Sequence, residues 1–260
     1  GGSLAETIHY EAEQHFQFDI SELYYDFYEL GAENEAGQVP VLLVGAKREI
    51  IDSYVRAIRS CGMRVGIIEC DVFSLTNMLE YNYGKQAGLV CVINIGASVT
   101  QVIFIENGQY LYMRDMPNGG DSFTQALAQN LNLPFGQAEN LKIASMVNMQ
   151  PLQAKVKDIF IEAAQQFTSD LMMSIDYFFK QEGLPPHADT ISYLLLTGGG
   201  AQMRILPKAL REATGIKTNV LSPFLHVKVA KKCKRFIERN ANFFGVSGGL
   251  IHRSLDEIFV

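Results

Sequence analysis

Two glycine-rich turns are the segments of this sequence best suited to hold an anionic ligand. They are Gly96-Ala97-Ser98 and Gly198-Gly199-Gly200, and each follows an apolar run that predicts a buried strand. Glycine and other small residues let backbone N–H groups approach an anion closely, and the free N–H groups at a helix start favour phosphate. A glycine turn alone is more often only a tight connection, but Glu139 and Lys142 lie between these two in the sequence. This order favours a phosphate or nucleoside site.

The sequence predicts neither a metal site nor a catalytic nucleophile. His9 and His15 are six residues apart, so they do not share one helix face. Ser98 and Ser247 have neither a nucleophile-elbow context nor a paired histidine. The cysteines form no C-x-x-C pair, which argues against zinc, and those in apolar runs are expected to be buried, reduced thiols. The four cysteines are Cys61, Cys70, Cys91 and Cys233, of which Cys70 and Cys91 are expected to be buried.

The composition is that of a globular protein with one large or two medium domains. The chain has 260 residues, of which 48% are hydrophobic and 19% charged, and its net charge of -6 argues against broad nucleic-acid binding. The uncharged run 87–105 is long enough to cross a membrane, but Gly96 and the polar residues around it predict a turn between two buried strands instead. A basic cluster at 228–235 is expected to be a solvated loop or helix end, with binding to anionic lipid or an acidic partner as the alternative.

The first third of the chain predicts a small α/β unit. Apolar residues recur along one helix face from Leu4 to Phe16, and short aromatic or β-branched runs follow. The predicted elements are a helix from Leu4, strands at Leu23–Leu30, Val39–Gly45 and Met63–Glu69, and helices at Lys47–Ser60 and Asp71–Asn82.

A second unit is expected from Ala87 onward. Asn107-Gly108 is a strong hairpin signal, Asp121 is a plausible helix cap, and the glycines after Ala241 indicate close packing of the last helix. The predicted strands are Leu89–Ile95, Val99–Glu106, Gln109–Arg114, Thr190–Thr197 and Lys217–Leu221. The predicted helices are Asp121–Leu131, one from Pro134 containing Glu139 and Lys142, one from Pro151 to Gln181, Met203–Ala213, and Ala241–Ser254.

Three segments resemble the nucleotide-binding parts of the actin and FtsA superfamily. Residues 92–100 resemble its second phosphate loop, 138–142 its helix whose Glu and Lys contact ribose and adenine, and 195–201 its adenosine loop. Within that superfamily, residues 4–15, 18–20 and 119–124 are similar to the PilM family of type IV pilus proteins. The resemblance covers nearly all of the chain from Leu4 to Ser254. It implies ten nucleotide-binding candidates: Gly96, Ala97, Ser98, Val99, Glu139, Lys142, Gly198, Gly199, Gly200 and Ala201.

The resemblance also implies a fold class and a division of the chain into domains. The fold is α/β, actin-like (ribonuclease H-like), with an incomplete first half and an inserted small α/β subdomain. Residues 1–2 are interpreted as a tag remnant, 3–70 as the inserted subdomain, and 71–86 as the remainder of the first half. Residues 87–260 form the second half, with a helical subdomain at about 121–190.

Two departures from the family pattern argue against ATP hydrolysis. The family begins with a strand-turn-strand that carries a first phosphate loop and a carboxylate, and this chain has no counterpart to it. Asn94 stands where the superfamily usually has Asp, and an amide lacks the charge that holds Mg²⁺ or its waters. The family cofactor is ATP with Mg²⁺, and we expect its binding here to be weak or absent.

The resemblance implies a scaffold in type IV pilus assembly. Its implied partners are the cytoplasmic tail of a PilN-like inner-membrane protein and pilus motor or platform proteins, and self-association through an exposed strand edge is also expected. Nucleic acid is not expected, and the implied location is the cytoplasmic face of the bacterial inner membrane, reached through partners. The tail-binding candidates are Tyr24, Tyr25, Phe27 and Tyr28, half of which strand alternation places in the core.

Two alternatives remain open at this stage. One is an active actin-like ATPase or sugar kinase, which needs a catalytic carboxylate and a sugar site that the sequence does not reveal. The other is the cytoplasmic domain of a GspL-like type II secretion protein, in which a transmembrane helix follows the domain.

Overall fold

The computed structural model describes residues 4–34, 37–147, 153–183 and 190–257. Their contacts divide the chain into two compact units, Gly1–Ile68 and Glu69–Val260. The boundary lies close to residue 70, where the sequence places the end of the inserted subdomain.

The first unit is a two-stranded antiparallel sheet with two helices. Strand alternation is visible in it, because Leu23 is buried while the neighbouring Tyr24 is exposed. His9 Nδ1 lies 2.8 Å from the hydroxyl of Tyr25, which joins the first helix to the sheet. The elements are α1 (Leu4–His15), β1 (Leu23–Glu29), β2 (Val41–Lys47) and α2 (Arg48–Ser60), as the sequence predicts to within about two residues.

The predicted strand at Met63–Glu69 is wrong. In the structure this segment has no strand pairing, and Met63 and Ile68 are more than half exposed. A strand is stabilised by hydrogen bonds to a neighbour, whereas β1 and β2 pair with each other as a sheet of two. The apolar residues of this segment alternate as in a strand, but no described strand pairs with it.

A five-stranded mixed sheet forms the centre of the second unit. Its strands are β3 (Leu89–Ile95), β4 (Thr100–Glu106), β5 (Gln109–Met116), β6 (Ile191–Thr197) and β7 (Thr218–Val220), in the order β5-β4-β3-β6-β7. The pairs β3–β4 and β4–β5 are antiparallel, whereas β3–β6 and β6–β7 are parallel. A turn at Asn107 and Gly108, both with positive φ, joins β4 to β5 and confirms the predicted hairpin.

Helices cover both faces of this sheet. One face packs against an apolar core that includes Phe123 and Phe167, and the ring of Phe104 on β4 stacks on Phe178 at 3.8 Å. The other face packs against Leu75 and Met78. Burial on both sides explains why β3 is apolar from Leu89 to Ile93. The helices are α3 (Asp71–Tyr83), α4 (Gly120–Leu131), α5 (Phe135–Val147), α6 (Ala154–Gln181), α7 (Ile205–Thr214), α8 (Lys231–Asn240) and α9 (Gly245–Glu257).

Helix α9 packs on α3 through a glycine face, as the sequence predicts. A Cβ atom on Gly249 would lie 1.8 Å from the carbonyl oxygen of Ser74, and one on Gly248 would lie 2.3 Å from Met78 Cε. The backbones of the two helices are therefore in direct contact at this glycine. A salt bridge from Arg253 to the buried carboxylate of Glu69 closes the same side.

The cysteine predictions are half right. Cys91 is fully buried in β3, but Cys70 is exposed, because the apolar run ends before it and Cys70 is the residue that precedes α3. In the described parts of the chain, no three His, Cys, Asp or Glu side chains cluster where a metal ion would bind. The described helices include none with the length and apolarity needed to cross a membrane.

We predict that Gly249→Ala destabilises the second unit, because the added methyl group would force α3 and α9 apart. The expected loss in the free energy of unfolding is about 2–3 kcal/mol, measured by chemical denaturation. Gly136→Ala is the control, because a Cβ on this α5 glycine meets nothing within 4 Å and alanine favours a helix by up to about 1 kcal/mol. Equal stability of the two variants would contradict the close packing.

Candidate functional site

The two glycine turns lie side by side at one edge of the sheet. Strands β3 and β6 are parallel neighbours, so their carboxyl ends meet, and Asn94 pairs with Thr197 just before the turns. Gly198 has a φ of 82°, and a Cβ on it would lie 2.5 Å from the carbonyl oxygen of Ile95. A Cβ on Gly200 would lie 2.2 Å from Ile95 Cγ2. The second turn is therefore glycine-rich because its backbone rests directly on the end of β3.

The first turn caps α4. The Gly96 N–H donates to the Val99 carbonyl at 3.0 Å, and the amides of Gly120 and Asp121 donate to the carbonyls of Gly96 and Ala97 at 2.9 and 2.7 Å. These carbonyls satisfy N–H groups that a side-chain cap would otherwise satisfy.

The predicted cap Asp121 is accordingly wrong. The residue at the N-cap is Gly119, with no side-chain cap hydrogen bond. A Cβ at this position would lie 2.6 Å from the Ala97 carbonyl oxygen, so only glycine allows the turn to approach α4 this closely.

Lys142 joins α5 to the start of α4. Its ammonium donates to the Gly120 carbonyl at 3.0 Å, to Thr124 Oγ1 at 2.8 Å and to Glu139 Oε2 at 2.7 Å. An ammonium has three protons, so these three oxygens use all of them. The Lys142 side chain is buried, whereas the Glu139 side chain is 32% exposed.

The charge on Glu139 is stabilised by its partners. Partial burial acts to raise the pKa of Glu139, but hydrogen bonds from Lys142 and Thr124 outweigh it and hold the pKa below its ordinary value. The hydroxyl of Thr124 accepts from Lys142 and donates to Glu139. In this arrangement Lys142 positions α4, and of the two predicted nucleoside contacts Glu139 is the one that retains exposed surface.

The side chain of Asn94 is a neutral amide and is hydrogen-bonded within the sheet. Its Nδ2 donates to Gln101 Oε1 at 2.9 Å across the β3–β4 pair. Its Oδ1 lies 2.6 Å from where a Cβ on Gly198 would stand. The sheet edge between the two turns therefore carries an amide at the position where the superfamily resemblance implies a carboxylate.

Asn242 and Phe243, which precede α9, belong to this site and were missed by sequence reasoning. The Gly198 N–H donates to the Asn242 carbonyl at 3.0 Å, and Asn242 Nδ2 donates to the Gly198 carbonyl at 2.6 Å. The ring of Phe243, 54% exposed, covers the backbone of Gly199. In the sequence, Asn242-Phe243-Phe244-Gly245 falls inside the predicted helix Ala241–Ser254, whereas in the structure α9 begins only at Gly245. The available signal was an amide followed by two aromatic residues and a glycine.

Comparison with known proteins identifies the family. A family model described as type IV pilus assembly protein PilM matches residues 1–255. The chain belongs to the PilM family. A solved structure named as a PilM-PilN type IV pilus biogenesis complex aligns over 97% of this chain and 72% of that chain, with a TM-score of 0.80 and 24% identity.

More distant relatives confirm the predicted actin-like α/β fold. MreB5 of Spiroplasma citri bound to ADP aligns over 82% of this chain and 68% of that chain, with a TM-score of 0.54 and 15% identity. Cell division protein FtsA of Staphylococcus epidermidis is 31% identical over 107 residues, which are 38% of this chain and 21% of that protein. FtsA of Buchnera aphidicola is 28% identical over 130 residues, 48% of this chain and 29% of that protein. This chain therefore matches less than a third of the length of these FtsA relatives.

The ten candidate binding residues of this PilM-family chain differ in what they can offer a ligand. Those of the first turn beyond Gly96 are exposed, while the end of the second turn is packed inside. The exposed candidates are Ala97, Ser98 and Val99, the partly exposed ones are Gly96, Glu139, Gly198 and Gly199, and the buried ones are Lys142, Gly200 and Ala201.

We predict that Lys142→Met destabilises the fold in a pH-dependent way. The pKa of Glu139 in the folded state lies below its ordinary value of 4.5. The charged carboxylate therefore stabilises the fold above pH 4.5, and this contribution is lost as the pH falls through the lower folded-state pKa. Without the ammonium we expect a loss of about 2 kcal/mol at pH 7, shrinking below pH 4.5, as measured by urea denaturation across this range.

The matched control is Lys208→Met. Lys208 pairs with Glu212 at 3.6 Å, but both side chains are largely exposed, so its removal should leave stability unchanged at either pH. An equal loss for Lys142→Met at pH 7 and pH 3 would show that Glu139 does not depend on this ammonium.

Proposed function

We propose that this chain is a scaffold of type IV pilus assembly that binds the cytoplasmic tail of a PilN-like inner-membrane protein. Membership of the PilM family supports the pilus role, and similarity to a chain of the PilM-PilN complex supports the partner. The proposed place of action is the cytoplasmic face of the inner membrane. The observation that carries the proposal is an exposed aromatic strand, β1, in the first unit.

Strand β1 presents aromatic side chains that its own unit does not cover. Tyr24 is 42% exposed and Tyr28 is 70% exposed, whereas Tyr25 and Phe27 are partly buried, as alternation predicts. Large aromatic residues left exposed in this way are typical of protein-binding hot spots. Among the described residues this sheet has two strands, so β1 and β2 each have one edge without a strand partner there, and such an edge can accept an extended peptide.

The exposed tyrosine next to α2 is held in a fixed orientation. The Tyr24 hydroxyl donates to Asp52 Oδ1 at 3.1 Å, and the guanidinium of Arg48 lies 4.2 Å from the ring centroid. The ammonium of Lys47 lies 3.9 Å from the ring of Phe18 in the same unit. An aromatic surface bordered by cations suits an extended peptide with apolar side chains and free carbonyl groups, and the fixed side chains lose little entropy on binding.

We predict that Tyr28→Ser weakens binding of the partner tail by about tenfold or more, the effect of losing one aromatic hot-spot residue. The probe is a fluorescently labelled peptide of the N-terminal cytoplasmic residues of the PilN-like protein from the same organism, and the readout is fluorescence anisotropy. Tyr54→Ser is the control, because Tyr54 is 67% exposed but lies on α2. Equal affinity of both variants and the wild type would contradict the β1 assignment.

We propose further that this chain does not hydrolyse ATP by itself. At the sheet edge between the glycine turns the residue is Asn94, an amide that donates to Gln101. A neutral amide does not supply the charge that Mg²⁺ and its waters require. The alternative is that the chain is an active ATPase. A measurement of nucleotide turnover distinguishes the two hypotheses.

We predict no phosphate release from Mg²⁺-ATP above the buffer rate, and weak or no binding in a calorimetric titration. Asn94→Asp is the informative variant, because the amide of Gln101 can rotate to donate to the new carboxylate, so the fold should survive. We expect this variant to gain Mg²⁺-dependent nucleotide affinity relative to the wild type. Micromolar ATP binding with turnover by the wild-type chain would defeat the proposal.

A further inference from the structure

Helix α8 carries a concentration of positive charge on an acidic protein. Residues 228–239 contain six basic side chains and one acidic one, while the rest of the chain contains 16 basic and 27 acidic side chains. The local net charge is thus +5 against -11 elsewhere. Within the described parts of the chain, none of the six basic side chains takes part in an ion pair. The basic residues are Lys228, Lys231, Lys232, Lys234, Arg235 and Arg239.

The same helix has an apolar face that the fold leaves largely open. At 100° per residue, Cys233, Phe236 and Ile237 share one side of α8, and its basic residues occupy the other. No residue of α8 is buried, and Phe236 is 57% exposed. The helix is therefore amphipathic, and its apolar side stays partly exposed.

Further apolar side chains extend this face. The ring of Phe244 contacts both Phe236, at 6.2 Å between centroids, and Phe224, at 5.8 Å. Phe244 therefore links Phe224 to the apolar side of α8, and the segment after Phe224 leads into the start of that helix at Lys231. In that segment Leu225 is 52% exposed and Val227 is 39% exposed. Exposed apolar side chains thus adjoin a basic helix face, the arrangement of segments that lie in a membrane interface.

We propose that α8, together with Leu225 and Val227, is a surface that binds anionic phospholipid membranes. Lysine and arginine attract acidic lipid headgroups, while apolar side chains enter the headgroup boundary. An acidic protein or peptide would satisfy the charge alone and leave Phe236 and Leu225 in water, so the combination favours a bilayer. This surface is distinct from the tail-binding strand β1 and gives the scaffold a direct contact with the membrane.

The test is flotation of the purified chain with lipid vesicles. We expect binding to vesicles of phosphatidylcholine with phosphatidylglycerol, little binding to phosphatidylcholine alone, and weakening by added salt. Replacing Lys232, Lys234 and Arg235 by glutamine should weaken binding by on the order of a hundredfold. The charge-matched control replaces Lys155, Lys157 and Lys180, exposed lysines of α6, by glutamine and should bind like the wild type.

A second variant tests the apolar part of the proposal. Phe236→Ser should reduce vesicle binding several-fold with an unchanged circular dichroism spectrum, because the ring is already more than half exposed. Equal loss in both glutamine variants, or equal binding to neutral and anionic vesicles, would overturn the proposal. Retention on immobilised poly-glutamate without vesicle binding would also overturn it, in favour of an acidic protein partner.

Discussion

The parallel pairing of β3 with β6 determines where every other part of the second unit can lie. It aligns two chain segments about a hundred residues apart, so both glycine turns emerge at one edge of the sheet. The first turn meets the start of α4, and the second meets the residues before α9. Because β3 is covered on two faces, its side chains have to be apolar until the strand nears that edge. Asn94 is the first polar residue along it, and its amide is satisfied by the neighbouring strand. The edge is therefore shaped by pairing and packing before any ligand is considered.

Several polar groups at the two turns are hydrogen-bonded within the protein itself. The opening amides of α4 donate to the carbonyls of the first turn, and the second turn exchanges hydrogen bonds with Asn242. The protons of Lys142 are all donated within the chain. Satisfying buried polar groups internally stabilises the fold. Close backbone contact within the fold thus accounts for the glycine pattern of the two turns.

Sequence patterns predict features here whose cause is local, and they fail where the cause is a distant contact. Leu89–Ile95 is predicted to the residue because a continuous apolar run ends at a glycine. Asp121 is wrong as a cap because the true acceptors belong to a turn more than twenty residues earlier. The segment 63–69 has strand composition, but a strand needs a partner that local composition does not reveal. Asn242 is invisible because its role depends on Gly198, 44 positions away.

The glycine contact between α3 and α9 has a consequence for synthesis on the ribosome. Helix α3 is complete early, yet α9, which packs on it through glycines, is made near the end of the described chain. At about 5–20 residues per second, roughly 170 intervening residues take about 10–30 s to translate. Over that interval Leu75 and Met78 have no glycine face to pack against. The nascent chain should therefore depend on a holding chaperone at this segment, and the native tertiary structure of the second unit should appear only after α9 has been synthesised.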